Sequence, residues 1–428
     1  MNKNKSFSKI INAWCMYDWA NSVYSLVIAT AIFPIYYNSI TTSSSGSYIV
    51  SFFGYEIVNS VLYSYSISFS FLILTFIQPI LSGIADYSGN KKIFLKFFMY
   101  LGATSCILLY FFDGENIEFG IMCSVFASIG FSGSLVFYNA FLPEIATNKD
   151  FDKISARGFS FGYVGSVILL VICLILVQNF ELFGFPDSKS ATKFTFLLVG
   201  LWWIFFSQIT LYYLPQNAKK IKLTLDILTY GARELIKVWN YIKKVRNLKL
   251  YLFSYFFYSI GVQTIMLIAS YFGAKELNLD QSKLIMTILI IQLIAIFGAY
   301  FFAYISSIKG NKFSLVIMNI FWIIVCLSAY YTTNENQFYL LAVAVGILMG
   351  GIQSLSRSTF LKLIPIEVKD HASFFNFYGI SYNISIVVGT FSYGYIEQLT
   401  GNMKASILAL MFFFIIGLII LIFTKIKR

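Results

Sequence analysis

Trp14-Cys-Met-Tyr-Asp18-Trp-Ala-Asn21-Ser22-Val-Tyr-Ser25-Leu-Val-Ile-Ala-Thr-Ala-Ile-Phe-Pro-Ile-Tyr-Tyr37 is the stretch on which the reading of this chain turns. It is apolar for most of its length, and a membrane-crossing helix needs about 20 such residues. Near its start, however, stands a carboxylate. An acid inside a spanning helix costs roughly 2.5–3.5 kcal/mol on insertion scales, so Asp18 marks a functional position. Asp18, Ser22 and Ser25 recur at i, i+4 and i+7, with Asn21 beside them, and share one helical face. Such a face must look at other helices or at water, not at lipid. The chain needs an interior for this helix to face.

The composition around this stretch is that of an integral membrane protein. The 428 residues are 58% hydrophobic and only 12% charged, against about 25% charged in a soluble domain. Barrel strands would read as alternating segments of ~10 residues; here long uninterrupted apolar blocks point to helices. The basic segment 1–9 imitates a secretory leader, whose apolar core ends after roughly 7–15 residues at a small-residue site. This run is longer, contains Asp18 and has no such site, so it reads as an uncleaved first span. Cys15, Cys106, Cys123, Cys173 and Cys326 all fall in apolar blocks and read as small fillers, not as disulfides or a metal site. No cofactor is expected.

Apolar blocks separated by polar breaks give about twelve spans, near 12–38, 57–84, 92–112, 118–143, 157–179, 193–214, 249–273, 283–306, 313–331, 337–364, 371–396 and 403–424. With both termini on one side, that side holds 26 of the 31 Lys and Arg. Only Lys189, Lys193, Lys275, Lys283 and Lys404 lie opposite. The positive-inside rule makes the rich side, and both termini, cytoplasmic in a bacterial-type inner or plasma membrane. The net charge of +12 therefore orients the chain in its bilayer and does not point to nucleic acid.

The one long polar interruption, Pro215 to Leu250, falls at the midpoint. Within it Leu228, Ala232, Leu235, Trp239 and Ile242 form an apolar stripe, while Arg233, Lys237, Lys243 and Lys244 lie off it. This predicts a basic amphipathic helix on the inner leaflet that tethers two halves. Internal repetition agrees. Gly89-Asn90-Lys91 recurs as Gly310-Asn311-Lys312 at an offset of 221, and Pro143 recurs as Pro365 at 222. The expected fold is an all-α membrane protein with twelve transmembrane helices in two pseudo-symmetric six-helix bundles, 1–214 and 249–428, joined by linker 215–248. That is the major facilitator architecture, with its site between the halves near the midplane.

The turn after span 2, with Gly83, Asp86, Gly89, Lys91 and Lys92, resembles the cytoplasmic signature of that superfamily, Gly-x-x-x-Asp-x-x-Gly-Arg-Lys-(Arg/Lys); Asn90 stands where Arg is usual. Glycine permits the tight turn, Asp86 is placed to cap or pair across the face, and the lysines are expected at the anionic leaflet. Four further segments, Tyr17-Asp-Trp-Ala-Asn-Ser22, Tyr138-Asn-Ala-Phe-Leu-Pro-Glu-Ile145, Ser155-Ala-Arg-Gly158 and Gln353-Ser-Leu-Ser-Arg-Ser358, resemble the vacuolar-effluxer branch of the major facilitators. That branch includes autophagy-related amino-acid effluxers of fungal vacuoles. One departure is Ser373, where the family usually has Glu before the paired Phe374 and Phe375.

Arg357 lies about two turns inside span 10, and its cation needs a partner, water or a route to the headgroups. Asp18 lies at similar depth. The two charges, directly or through Asn21, Tyr138 and Asn139, are expected to form the polar centre or inner gate. Span 4 adds Ser128, Ser132 and Asn139 on one stripe; span 7 adds Tyr255, Tyr258, Ser259 and Gln263; span 10 adds Gln353. The resemblance implies that spans 1, 4, 7 and 10 line a cavity, where hydroxylated aromatics grip an apolar group while Asn, Gln and Arg hold a carboxylate. Gly158, Gly162, Gly165, Gly346 and Gly350 read as close-packing faces. His371 is the only histidine.

These features point to a monomeric secondary transporter of a small organic solute, amino acids first, exporting by alternating access with protons as a candidate coupling ion through Asp18. No Gly-x-x-x-x-Gly-Lys loop binds a nucleotide, and one His without a metal cluster or an activated nucleophile argues against an enzyme. The alternative is a non-transporting receptor or assembly protein of the same fold.

Overall fold

The computed structural model describes residues 2–42, 49–215, 226–279, 281–365, 371–400 and 403–426. Its first membrane segment is one rod in three parts: α1 (Asn2–Val23), a π-helical stretch (Tyr24–Ile32) and α2 (Phe33–Thr41). Pro34 falls in the first turn of α2, where its missing N–H costs least. In the wide turn the Thr30 hydroxyl donates to the Ser25 carbonyl five residues back, at 2.7 Å. An evenly apolar run carries no sequence sign of an i→i+5 turn.

A second departure from an all-helical chain follows. β1 (Ile49–Phe52) and β2 (Tyr55–Val58) pair antiparallel around Phe53 and Gly54, both at positive φ (48° and 84°). Two left-handed residues make the tight turn whose twist suits a hairpin. Glu118 receives the Phe53 N–H at 2.7 Å and ties the turn to the helix bundle.

The remaining described elements are helical. α3 (Asn59–Ser88), α4 (Lys91–Leu108), α5 (Ile117–Asn139), the short α6 (Leu142–Ile145), α7 (Phe151–Gln178) and α8 (Ser188–Tyr213) complete the first half. α9 (Asp226–Lys244) belongs to the linker. α10 (Arg246–Leu277), α11 (Gln281–Lys309), α12 (Asn311–Tyr331), α13 (Glu335–Leu363), α14 (His371–Thr400) and α15 (Met403–Phe423) form the second half. Among the described residues, eleven segments are long and apolar enough to span a membrane. α14 is the twelfth long helix, but Asn376, Tyr382, Asn383 and Ser385 lower its hydropathy. Asn376, Asn383 and Ser385 are buried, and α14 packs on α3, α5, α10 and α15.

The helices pair by the same scheme in both halves. α1 lies on α7 and α8 as α10 lies on α14 and α15; α4–α5, α3–α5 and α4–α8 match α12–α13, α11–α13 and α12–α15. The two halves meet through α3–α14, α5–α14, α7–α11 and α7–α13. The end of the bundle at which α9 lies is called the linker face below. α9 runs along α3 and touches α14. It docks through Val238 and Ile242, both buried, while Trp239, expected in its apolar stripe, is half-exposed. The side chains of Leu228, Ala232 and Leu235 lie outside the described part of the structure.

Glycines set the close contacts. A Cβ at Gly162 or Gly165 would meet Ser22 Oγ or the Trp19 backbone of α1, and one at Gly346 or Gly350 would meet α11 backbone. The five cysteines are free and buried.

Candidate functional site

Asp18 and Arg357 are both almost fully buried, at 4% and 3% exposure. They meet across the seam: Arg357 Nη1 lies 3.4 Å from Asp18 Oδ2. Nη1 also donates to Asn139 Oδ1 at 3.2 Å, Nε donates to Ser155 Oγ at 2.9 Å, and Nη2 donates to the Ser155 carbonyl at 2.9 Å. Ser155 in turn donates its hydroxyl to the Ser354 carbonyl at 2.7 Å. The guanidinium is further enclosed by rings, with Phe159 at 4.2 Å and Trp14 at 4.8 Å from its carbon. Cations over aromatic faces gain most when water is excluded. The long side chain thus turns inward and does not run to the headgroups.

Asp18 has a second partner. The Tyr138 hydroxyl donates to its Oδ2 at 2.8 Å, and Tyr138 is fixed by stacking on Trp14, centroids 4.4 Å apart. Trp14 Nε1 donates to the Tyr138 carbonyl at 3.0 Å. Gly158 makes room: a Cβ there would stand 2.6 Å from Asp18 Oδ2. The sequence marked Asp18, Tyr138, Asn139 and Arg357, and the structure brings these four together. Trp14, Ser155 and Phe159 were missed, because an aromatic or a serine in an apolar run looks like ordinary packing.

The other candidates stand around this centre or apart from it. Asn21 is buried one turn along α1 with its amide nitrogen unpartnered, and Ser22 reaches Asn21 Oδ1 only at 3.5 Å. Ser25 bonds back to its own helix. Gln353 accepts from the Tyr163 hydroxyl at 2.8 Å, a further bond between the halves. Ser128 pairs with Tyr24, and Ser132 Oγ is buried without a partner. Tyr258 pairs with Ser356 Oγ at 2.7 Å, Ser259 receives a hydrogen bond from Ser385, and Tyr255 stacks on Tyr378. These three bind within the second half and do not reach Asp18 or Arg357. Gln263 is half-buried on the same helix.

Toward the linker face lies a cluster the sequence reading passed over. Lys362 Nζ is 2.6 Å from Asp152 Oδ2 and donates to Asn311 Oδ1 at 2.8 Å. Asp152 also accepts from Ser306 Oγ at 2.6 Å and from Asn311 Nδ2 at 2.8 Å. In the sequence Lys362 reads only as an orienting charge, and Asp152, at a helix start, as a routine first-turn acid. Together Asp152–Lys362, Ser155–Arg357 and Tyr163–Gln353 zip α7 to α13.

The signature turn closes the other side of the same face. Gly89 ends α3 in the left-handed conformation (φ 65°), as glycine does without penalty. Asp86 accepts from the backbone N–H groups of Ala372 and Ser373, at 3.1 and 2.7 Å, and so caps α14 of the opposite half. A carboxylate there also meets the positive end of the helix dipole. Gly83 is buried within α3. The lysines do not behave as expected. Lys91 is buried and 2.6 Å from Glu144, and Lys92 donates to the Leu214 carbonyl at 3.1 Å. Both lysines are thus engaged by acceptors of the protein itself, which a count of positive charges does not foresee.

The vacuole effluxer Atg22-like family model matches residues 7–428. An uncharacterized MFS-type transporter, YxiO, of Bacillus subtilis (strain 168) is 34% identical over 98% of this chain and 95% of its own length. Autophagy-related protein 22 of Kluyveromyces lactis is 25% identical over 83% of this chain and 77% of its own. Among solved structures, FucP, a major facilitator transporter in the outward conformation, superposes with a TM-score of 0.69 at 14% identity, covering 98% and 99% of the two chains. An outward-facing bacterial homologue of the iron transporter ferroportin gives 0.67 at 12% identity, over 97% and 98%. The chain belongs to the vacuole effluxer Atg22-like family of major facilitator transporters.

Proposed function

We propose that this protein is a secondary carrier that moves a small organic solute, an amino acid foremost, in the direction of export by alternating access, with proton movement tied to Asp18. The linker face is read as cytoplasmic from the distribution of Lys and Arg. The observation that carries the proposal is the buried Asp18–Arg357 pair, whose members belong to different halves. When the halves part at the linker face, the pair must break. Asp18 then loses its cation while still flanked by apolar helices, where the charged form of a carboxylate is disfavoured. A proton on Asp18, or the ammonium group of an amino acid, removes that cost. The closed state is thereby tied to an event at the centre of the membrane.

Asn21, with an unspent amide, and the Tyr163–Gln353 bond lie next to the pair and are assigned to solute contact. In the closed arrangement Arg357 is fully engaged, so a solute carboxylate gains it only by displacing Asp18.

The test is counterflow and pH-gradient-driven uptake by the purified protein in proteoliposomes across an amino-acid panel. Asp18→Asn is expected to abolish gradient-driven uptake by at least tenfold while keeping solute exchange. Full gradient-driven uptake by that variant would remove Asp18 from coupling, and inertness toward the whole panel would remove amino acids.

A further inference from the structure

The linker helix α9 carries two distinct faces that the carrier reading leaves unused. Val238 and Ile242 are buried, Tyr241 packs edge-on against Phe374 with centroids 5.8 Å apart, and Trp239 stacks on Phe377 at 5.5 Å. Phe374 and Phe377 lie in the first two turns of α14, beside the Ala372 and Ser373 amides that Asp86 caps. The main partner of α9, however, is α3, in the other half. α9 therefore straddles the α3–α14 seam.

Its outward side has a different chemistry. Arg233, Lys237, Asn240 and Lys244 recur at i, i+4, i+7 and i+11 and are all exposed, so they form one polar stripe. Next to that stripe Ile236 and Trp239 are exposed at 59% and 44%, and Lys243 lies over the Trp239 ring at 5.0 Å. Cations flanking a partly exposed tryptophan and an aliphatic side chain match the boundary between headgroups and acyl chains. Arg246 and Lys249, both exposed, continue the charge into α10.

We propose that the outer stripe of α9 binds anionic phospholipid headgroups, and that this binding clamps the α3–α14 seam shut at the linker face. Charge complementarity selects the partner: several cations, adjacent membrane-spanning helices, and an apolar edge pointing the same way. Coupling follows from the docking. If α3 and α14 separate, α9 must let go of one of them, and a leaflet that holds α9 in place opposes the separation. The proposal draws on the carrier reading only for the name of the leaflet.

Full-length protein is reconstituted in phosphatidylcholine vesicles with and without phosphatidylglycerol. Emission of Trp239, isolated by subtraction of Trp239→Phe, is expected to be quenched more by brominated phosphatidylglycerol than by brominated phosphatidylcholine. Each charge removed in R233Q, K237Q and K244Q should weaken that preference roughly fivefold. Spin labels at the linker-face ends of α3 and α14 should move apart when the anionic lipid is omitted or the three charges are removed. Val238→Asp, which undocks α9, should free the seam while leaving the lipid preference intact. Equal quenching by both lipids, or a seam distance indifferent to lipid and to the triple variant, overturns the proposal. Solute transport is not read in this test, so either result leaves the carrier reading where it stands.

Discussion

At position 158 a hydrogen stands where any other residue would set a carbon 2.6 Å from Asp18 Oδ2 and 3.0 Å from Arg357 Nη2. Overpacking of this kind costs about 1–3 kcal/mol. Gly158→Ala is expected to lower the melting temperature and reduce uptake at least tenfold, whereas Gly394→Ala, with nothing within 4 Å, should leave both unchanged; thermal melts and uptake assays check the pair. The Asp152–Lys362 contact makes a second test. Removing one member of a buried pair costs roughly 3–5 kcal/mol, and Lys362, whose side chain is 19% exposed, belongs at the low end. In a double-mutant cycle on melting, Asp152→Asn with Lys362→Met should lose clearly less than the sum of the single losses. Asp18 and Arg357 stood out in the sequence because a charge deep in an apolar run has no cheap explanation. Asp152 and Lys362 did not, because a charge near a span end has one.

Helices announced themselves through their apolar blocks, and their breaks fell within a few residues of the expected limits. The elements that escaped are those with no periodic signature. The hairpin is short and turns on the local backbone of Phe53 and Gly54; the wide turn at Tyr24–Ile32 sits in a run with no polar marker. Gly346 and Gly350 of α13 were legible as a close-packing face, but not the partner of that face, which the structure shows to be α11. A Cβ at Gly350 would stand 2.0 Å from the Ala295 carbonyl oxygen. Backbone cannot swing aside as a side chain can, so Gly350→Ala should force the two helices apart. Its melting temperature is expected to fall further than that of Gly158→Ala.

Across the described residues, the contacts between the halves that involve a charged side chain and a carboxylate have one polarity. The first half supplies the carboxylates Asp18, Asp86 and Asp152; the second supplies Arg357, Lys362 and the amide-bearing start of α14. Composition gave the net charge of the chain but could not show this division, because it exists only once the helices are paired. Two copies of the first half placed face to face would oppose acid to acid, and two copies of the second would oppose base to base. The pseudo-twofold relation therefore recognises only the unlike mate, which keeps a newly inserted chain, crowded among its siblings in the bilayer, from seating one of its halves on the same half of an identical neighbour. Fragments 1–214 and 215–428 made from separate messages should co-purify with each other, and neither should pull down a tagged copy of itself.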